Sequence, residues 1–381
     1  MPQVRVSIQP NLAPILRMLR LAVTRDVKAV MAANSDILER EKTCSLSLST
    51  CSSVRTNRSL TSTCRPSSLV INEINLNGPE IFPKVNIFEK LECGGMGTLF
   101  WGSYGKKGKL VIVKIPNQLD LSADLVKEGH LLSELNRIGS IYLPSFYGIG
   151  AIFIRDPFNN EKVSLPYYVM EYIPGLNLNN YIKSYMATYG DAIPFWQVTL
   201  FSLETFLAVL DLHNIVGVAH RDLCASNLLI STRKDDSSSI KVIDFGVAKR
   251  KGTDDETLQA HYKERIISGR LSYKPPEVLI DGGEGNVDVA MKTDLYALGL
   301  TMFFMLTGKT YYYKSEDFHL TDRIPAEALR QIPKDFADII FRLTNNDISK
   351  RLVDYKEIND CLINLFISYG QEAANRFDFI P

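Results

Sequence analysis

Apolar residues change their spacing several times along the chain, and each spacing predicts a different element. Leu110-Val111-Ile112-Val113-Lys114 is an unbroken apolar run ending in one cation, the pattern of a strand buried on both faces. Leu125, Leu131, Leu132 and Leu135 then recur at helical spacing over Leu125 to Leu135. Strands are predicted around Ile149–Ile154 and Tyr167–Tyr172, separated by the turn-rich Arg155-Asp156-Pro157-Phe158-Asn159-Asn160-Glu161. From Gly175 onward helical patterns dominate, interrupted by short apolar strands at Leu228-Leu229-Ile230 and Lys241-Val242-Ile243. The most apolar stretch, Leu295 to Leu306, is too short to span a bilayer, contains Gly299, and reads as a buried helix. No internal repeat is visible.

Ahead of these elements the pattern is different. Leu12 to Ala33 sets Leu16, Leu19, Leu21, Val27 and Val30 among Arg17, Arg20, Arg25 and Lys28, a basic amphipathic helix. It fits a transit peptide, a partner-binding helix or a passive extension. Thr43 to Ser68 is rich in Ser and Thr and carries Arg55, Arg58 and Arg65 without an acid, so it buries too little apolar surface to fold alone and is expected to be disordered.

Composition narrows the class. A chain of 381 residues with 45% hydrophobic content builds a large core. Its formal net charge of +0 argues against a broad nucleic-acid footprint, and no transmembrane segment is expected. The 6 cysteines, at positions 44, 51, 64, 93, 224 and 361, have neither metal-ligand spacing nor a compact disulfide framework. A reducing compartment follows, cytoplasm or nucleus, or an organelle if the N-terminus is a transit signal.

Candidate chemistry lies in four motifs. His220-Arg221-Asp222-Leu223-Cys224-Ala225-Ser226-Asn227 precedes Asp244-Phe245-Gly246, with the two short strands between them. Asn227 and Asp244 can share Mg²⁺ bridging ATP phosphates, which leaves Asp222 to orient an attacking hydroxyl, so the chemistry implied is phosphoryl transfer. Upstream, Gly94-Gly95-Met96-Gly97-Thr98-Leu99-Phe100 opens between extended stretches, where Gly94 and Gly97 let backbone N–H groups approach phosphates. Lys114 in its apolar run needs an anion, and Glu128 on the predicted helix is the candidate.

Taken together these motifs resemble the eukaryotic-type protein kinases over about residues 85 to 368. The resemblance implies an α+β, bilobal protein-kinase-like fold, with a small β-rich N-lobe holding one main helix (about 82–173) and a larger helical C-lobe (about 174–368). Residues 1–72 would form a largely disordered extension and 369–381 a tail. It further implies Asp222 as catalytic base, and Lys114, paired with Glu128, on the α and β phosphates. Asn227 and Asp244 would ligate Mg²⁺. Gly94, Gly95, Gly97, Leu99, Lys114 and Leu229 would line the ATP site, while Glu171 C=O and Ile173 N–H pair with adenine behind Met170. Glu277 would pair with Arg351, Asp294 would brace the catalytic loop, and His220 would pack beside Phe245. A protein substrate is implied, as is an activating kinase or autophosphorylation at Thr253, Thr257, Tyr262 or Ser268, with Arg221 as the docking charge.

Four positions depart from the family pattern. Glu92 replaces the first glycine of the phosphate loop, Ile112 replaces a small residue over adenine, Cys224 replaces the Lys of Ser/Thr kinases, and Arg270 replaces their Thr. The paired change at Cys224 and Arg270 has two readings: compensation, with Arg270 supplying the missing charge near the γ-phosphate, or an Arg270 that faces solvent and leaves the γ-phosphate with weaker support. Three readings follow: an active kinase with Ser or Thr as acceptor, a nucleotide-binding pseudokinase scaffold, and a small-molecule kinase of related fold.

Overall fold

A computed structural model describes residues 12–33, 85–93, 96–155, 162–232, 235–250, 271–281, 287–310 and 324–376. Thr43–Ser68, Gly94, Gly95, Arg270 and the four candidate phosphorylation sites lie outside the described residues. The chain forms two compact units, one reaching Gly139 and resuming over Pro144–Tyr172, the other comprising the N-terminal helix, Ser140–Leu143 and everything from Ile173 on.

Helix α1 (Ala13–Ala33) comes first in the chain and belongs to the second of these units. The first unit starts with strands β1 (Val85–Cys93), β2 (Gly97–Tyr104) and β3 (Lys109–Pro116). Helix α2 (Ser122–Ile138) follows, then β4 (Phe146–Arg155) and β5 (Lys162–Glu171). The strands make one antiparallel sheet in the order β1-β2-β3-β5-β4. Central β3 is buried from Val111 to Pro116, which explains its unbroken apolar run. Side chains alternate along it, so Val111, Val113 and Ile115 join a core with Phe100, Ile152, Leu165 and Val169, leaving Ile112 and Lys114 for the opposite face. Leu121, Leu125, Glu128, Leu132 and Leu135 form the buried stripe of α2, with Leu131 at its margin.

The other unit continues with α3 (Leu178–Tyr189), α4 (Phe195–Leu210) and β6 (Val218–Ala219). Next come β7 (Leu228–Thr232), β8 (Ser238–Val242) and β9 (Lys249–Arg250), with β7 and β8 as a hairpin and β6 paired to β9. Helices α5 (Pro276–Asp281), α6 (Val287–Thr307), α7 (Ala326–Leu329), α8 (Lys334–Leu343) and α9 (Tyr355–Arg376) complete it. Every residue of α4 from Trp196 to Leu210 is buried, including the polar Gln197, Thr199, Ser202, Glu204 and Thr205.

Both outer boundaries drawn from the sequence are corrected. The amphipathic helix does not lie in a separate extension, because Leu16, Leu19, Val23, Val27 and Val30 of α1 are buried against α3, α4, β8 and α9. Arg20 Nε donates to Glu204 Oε1 at 2.6 Å, and Glu204 Oε2 accepts from Ile240 N at 2.8 Å. No tail begins at 369 either, since α9 runs on to Arg376. A Cβ at Gly370 would stand 3.1 Å from Leu19 Cδ1, so the absence of a side chain there admits the first helix. Helical periodicity announces a stripe but not what covers it. The membrane argument also changes: Phe195–Val216 and Val287–Thr307 are each long and apolar enough to cross a bilayer, but the most apolar 18-residue stretch of each is 89% and 83% buried within the protein.

Candidate active site

In the sheet unit, β3 carries Lys114 opposite Leu99 of β2 and Tyr168 of β5. Lys114 is 6% exposed, and its Nζ donates to both carboxylate oxygens of Glu128, at 2.9 and 2.8 Å. Tyr168 Oη donates to the same Glu128 Oε1 at 2.9 Å. Two anionic oxygens thus hold a buried ammonium that would otherwise be expensive to keep out of water. Gly97 starts β2, where a Cβ would fall 2.7 Å from the Ile115 carbonyl, so glycine is required for the hairpin to pair this closely. Glu92 is exposed on β1. Glu171 ends β5, and its backbone N–H donates to Ser145 O while its Oε2 accepts from Ser145 N, both at 2.8 Å.

In the helical unit, β6 leads into the loop His220–Asn227. Asp294 of α6, fully buried, fixes the start of that loop: Oδ2 accepts from His220 N at 2.7 Å and Oδ1 from Arg221 N at 2.8 Å. His213 Nε2 bonds the same Oδ2 at 2.8 Å, and His213 Nδ1 meets Tyr355 Oη at 2.8 Å. Burial alone would raise the Asp294 carboxyl, but the hydrogen bonds and charge from His213 and His220 hold it below the ordinary carboxylate range. His220 has a packing place, with Nε2 3.0 Å from Ile243 O and its ring edge-on to Phe245. Arg221 adopts a φ of 65°, a left-handed conformation costly for a side chain of its size and sustained here by the anchored loop.

That turn delivers Asp222 and Asn227 to one another. Asn227 Nδ2 donates to Asp222 O at 2.8 Å and to Asp222 Oδ2 at 3.2 Å. Because the amide nitrogen is committed to Asp222, the amide oxygen is the atom Asn227 offers to a cation. Ile243 N donates to Asn227 O at 3.0 Å, which places the residue before Asp244 against Asn227, and Asp244 itself has a φ of 66°. Leu229, half-buried, bridges to Asn177, while Ile173 is buried at the start of this unit. Glu277 and Arg351 form a two-armed ion pair at 2.6 and 3.0 Å, with the guanidinium 4.8 Å from the Tyr296 ring.

Three contributors went unread in the sequence: Tyr168, His213 and Lys274. The first two look like ordinary core residues until their hydroxyl and imidazole partners are seen. Lys274, only 3% exposed, donates to the Arg221 carbonyl and stands 3.5 Å from Asp222 Oδ1. Its signal was available: a lone lysine before Pro275-Pro276-Glu277 in a chain with Cys224 where a lysine is usual.

Comparison with known proteins gives one family and many distant relatives. The model of the protein kinase domain matches residues 86–362. The protein named "Probable serine/threonine-protein kinase PknB" of Lactococcus lactis subsp. lactis is 24% identical over 72% of this chain and 41% of its own length. A "Serine/threonine-protein kinase Pkn1" of Myxococcus xanthus is 28% identical over 65% of this chain and 32% of its own. The "cAMP-dependent protein kinase catalytic subunit" of Dictyostelium discoideum is 27% identical over 72% and 39% respectively. The chain therefore spans well under half the length of each of these relatives.

Proposed function

Because the chain belongs to the protein kinase domain family, we propose that it transfers the γ-phosphoryl group of ATP to a serine or threonine hydroxyl of a protein substrate. The observation that carries this reading is the Asp222–Asn227 loop, an acid and an amide set 3.2 Å apart on a turn pinned by a fully buried aspartate. Asp222 orients the acceptor hydroxyl and takes its proton. Lys114, held by Glu128, meets the α and β phosphates, and the glycine motif Gly94, Gly95, Gly97 with Leu99 is assigned to the same nucleotide on its sequence. Backbone groups of Glu171 and Ile173, and the Leu229 side chain, serve the adenine.

Asn227 and Asp244 suit magnesium by chemistry, since one amide oxygen and one carboxylate are hard donors of the kind that complete a shell of phosphate oxygens and water. Magnesium bound there neutralises phosphate charge. The serine/threonine acceptor is supported by the names of the relatives, and a protein rather than small-molecule substrate by the clamp of Arg351 on Glu277 of α5. A reducing location, cytoplasm or nucleus, is supported by the thiols of Cys93, Cys224 and Cys361.

Mass spectrometry of the purified chain and a peptide library after incubation with Mg-ATP tests the acceptor directly. Asp222→Asn is expected to lower turnover by about 10²–10⁴ while leaving nucleotide affinity nearly intact. Asp244→Asn should weaken the magnesium dependence as well as turnover. Near-normal transfer in either variant would end the assignment, and nucleotide binding without transfer in the wild type would mark a scaffold instead.

A further inference from the structure

The loop that carries Asp222 has Cys224 two residues later, buried and uncharged, yet Asp222 is not left without a cation. Lys274 enters from a different segment, between the single 3₁₀ turn Leu271–Tyr273 and α5. Its ammonium donates to Arg221 O and lies 3.5 Å from Asp222 Oδ1, with both side chains 4% exposed. Asn227 holds the other oxygen, Oδ2, at 3.2 Å. The carboxylate is therefore gripped from two sides by donors 47 residues apart in the chain, Lys274 minus Asn227.

Burying an ammonium is costly, and a lysine needed only for packing would be cheaper as methionine or leucine. Arg221, whose carbonyl it binds, also has a left-handed φ, so Lys274 both supports the strained turn and faces the acid the turn presents. We propose that Lys274 is the positioning cation of the catalytic loop: it holds the Asp222 carboxylate aimed, and brings to the acceptor end of the site the positive charge that position 224 lacks. The proposal rests on the phosphotransfer reading and deepens it. It concerns a different residue from Arg270, which lies outside the described residues.

A purely structural lysine and a positioning one separate by relocation. Lys274→Met keeps the length of the side chain and removes the charge. It is expected to lower kcat about 10²-fold, with KM for ATP within about twofold. Adding Cys224→Lys to Lys274→Met, which returns the charge from the loop itself, should restore at least about tenfold of that loss, and Lys274→Arg should retain more activity than Lys274→Met. Thermal unfolding of each variant runs in parallel. An unchanged kcat in Lys274→Met would overturn the proposal, as would a loss of kcat that tracks unfolding and is not recovered by Cys224→Lys. If Lys274→Met does not fold, the Lys274→Arg and Cys224→Lys/Lys274→Met proteins decide alone, and inactivity of both when folded counts against it. Asp222→Asn serves as the control for the underlying reading: if it stays active, phosphotransfer through Asp222 fails, whereas if it is dead and Lys274→Met is normal, only the role of Lys274 fails.

Discussion

Glu128 holds two donors on one carboxylate, the Lys114 ammonium and the Tyr168 hydroxyl, and the two should respond very differently to mutation. Tyr168→Phe removes one neutral donor from an oxygen that Lys114 still bonds, so it is expected to cost about 1 kcal/mol. Its turnover should stay within a few-fold of normal. Glu128→Ala takes the carboxylate from a lysine only 6% exposed, and breaking a buried pair in this way costs about 3–5 kcal/mol. Urea unfolding and phosphotransfer rates measured on the two variants check the contrast. Comparable losses in both would mean that the hydroxyl, and not the charge pair alone, holds Glu128.

At the level of single elements, α1 contributes a titratable contact as well as an apolar stripe. Asp26 Oδ2 accepts from Gln197 Nε2 at 2.5 Å, and Gln197 Oε1 accepts from Tyr181 Oη at 2.9 Å. Burial raises the Asp26 carboxyl from 3.8 to about 6, against the opposing hydrogen bond from Gln197 and the charge of Arg25. The same site, by burial and then by the nearness of Asp26, pushes Tyr185 up to about 12 and Tyr181 also upward. A folded carboxyl with a raised pKa holds its proton more tightly than the unfolded chain does. Stability from this group is therefore fullest in acid and falls as pH rises from about 4 to about 6. Asp26→Asn removes that loss, so the variant should melt above the wild type at pH 7–8, by a margin that shrinks toward pH 5. A margin independent of pH over that range would exclude Asp26 as its source.

For the molecule as a whole, the family match and the folded body have different extents. The match begins at residue 86, while the body includes α1 some fifty residues earlier. Besides the Asp26–Gln197 bond, α1 is tied in by the buried stripe, the Arg20–Glu204 pair, and a 2.8 Å hydrogen bond between Thr24 and Ser238 at the start of β8. Glu204 is fully buried and also binds the β8 backbone, so Arg20→Ala strands a charge where it cannot reach water. The expected cost is about 3–5 kcal/mol. A chain starting at Asp36 should lose at least as much, with hydrogen exchange rising in α4 and β8. If that shortened chain melts with the full one, the contacts of α1 contribute nothing to the body.

Period-two and period-3.6 spacing are properties of a backbone segment by itself, so the existence of β3, α2, β7, β8 and the buried α6 was legible, though not the pairing of β7 with β8. The demand of a buried lysine for an anion was legible too, because it follows from charge and burial alone, and Glu128 was the acid within reach. Strand and helix ends shifted, by three residues at Ser122 and by eight at Val287, since termini depend on caps and neighbours rather than on the apolar stripe. What the sequence left open were the meetings of distant groups: Arg20 with Glu204, separated by 184 positions, His213 with Asp294, by 81, and Lys274 with the Arg221 carbonyl, by 53. A side chain's partner across such distances is set by the direction it points once the helices have packed. Only the tertiary structure therefore decides that α1 belongs to the body and that a lysine from the segment before α5 stands at Asp222.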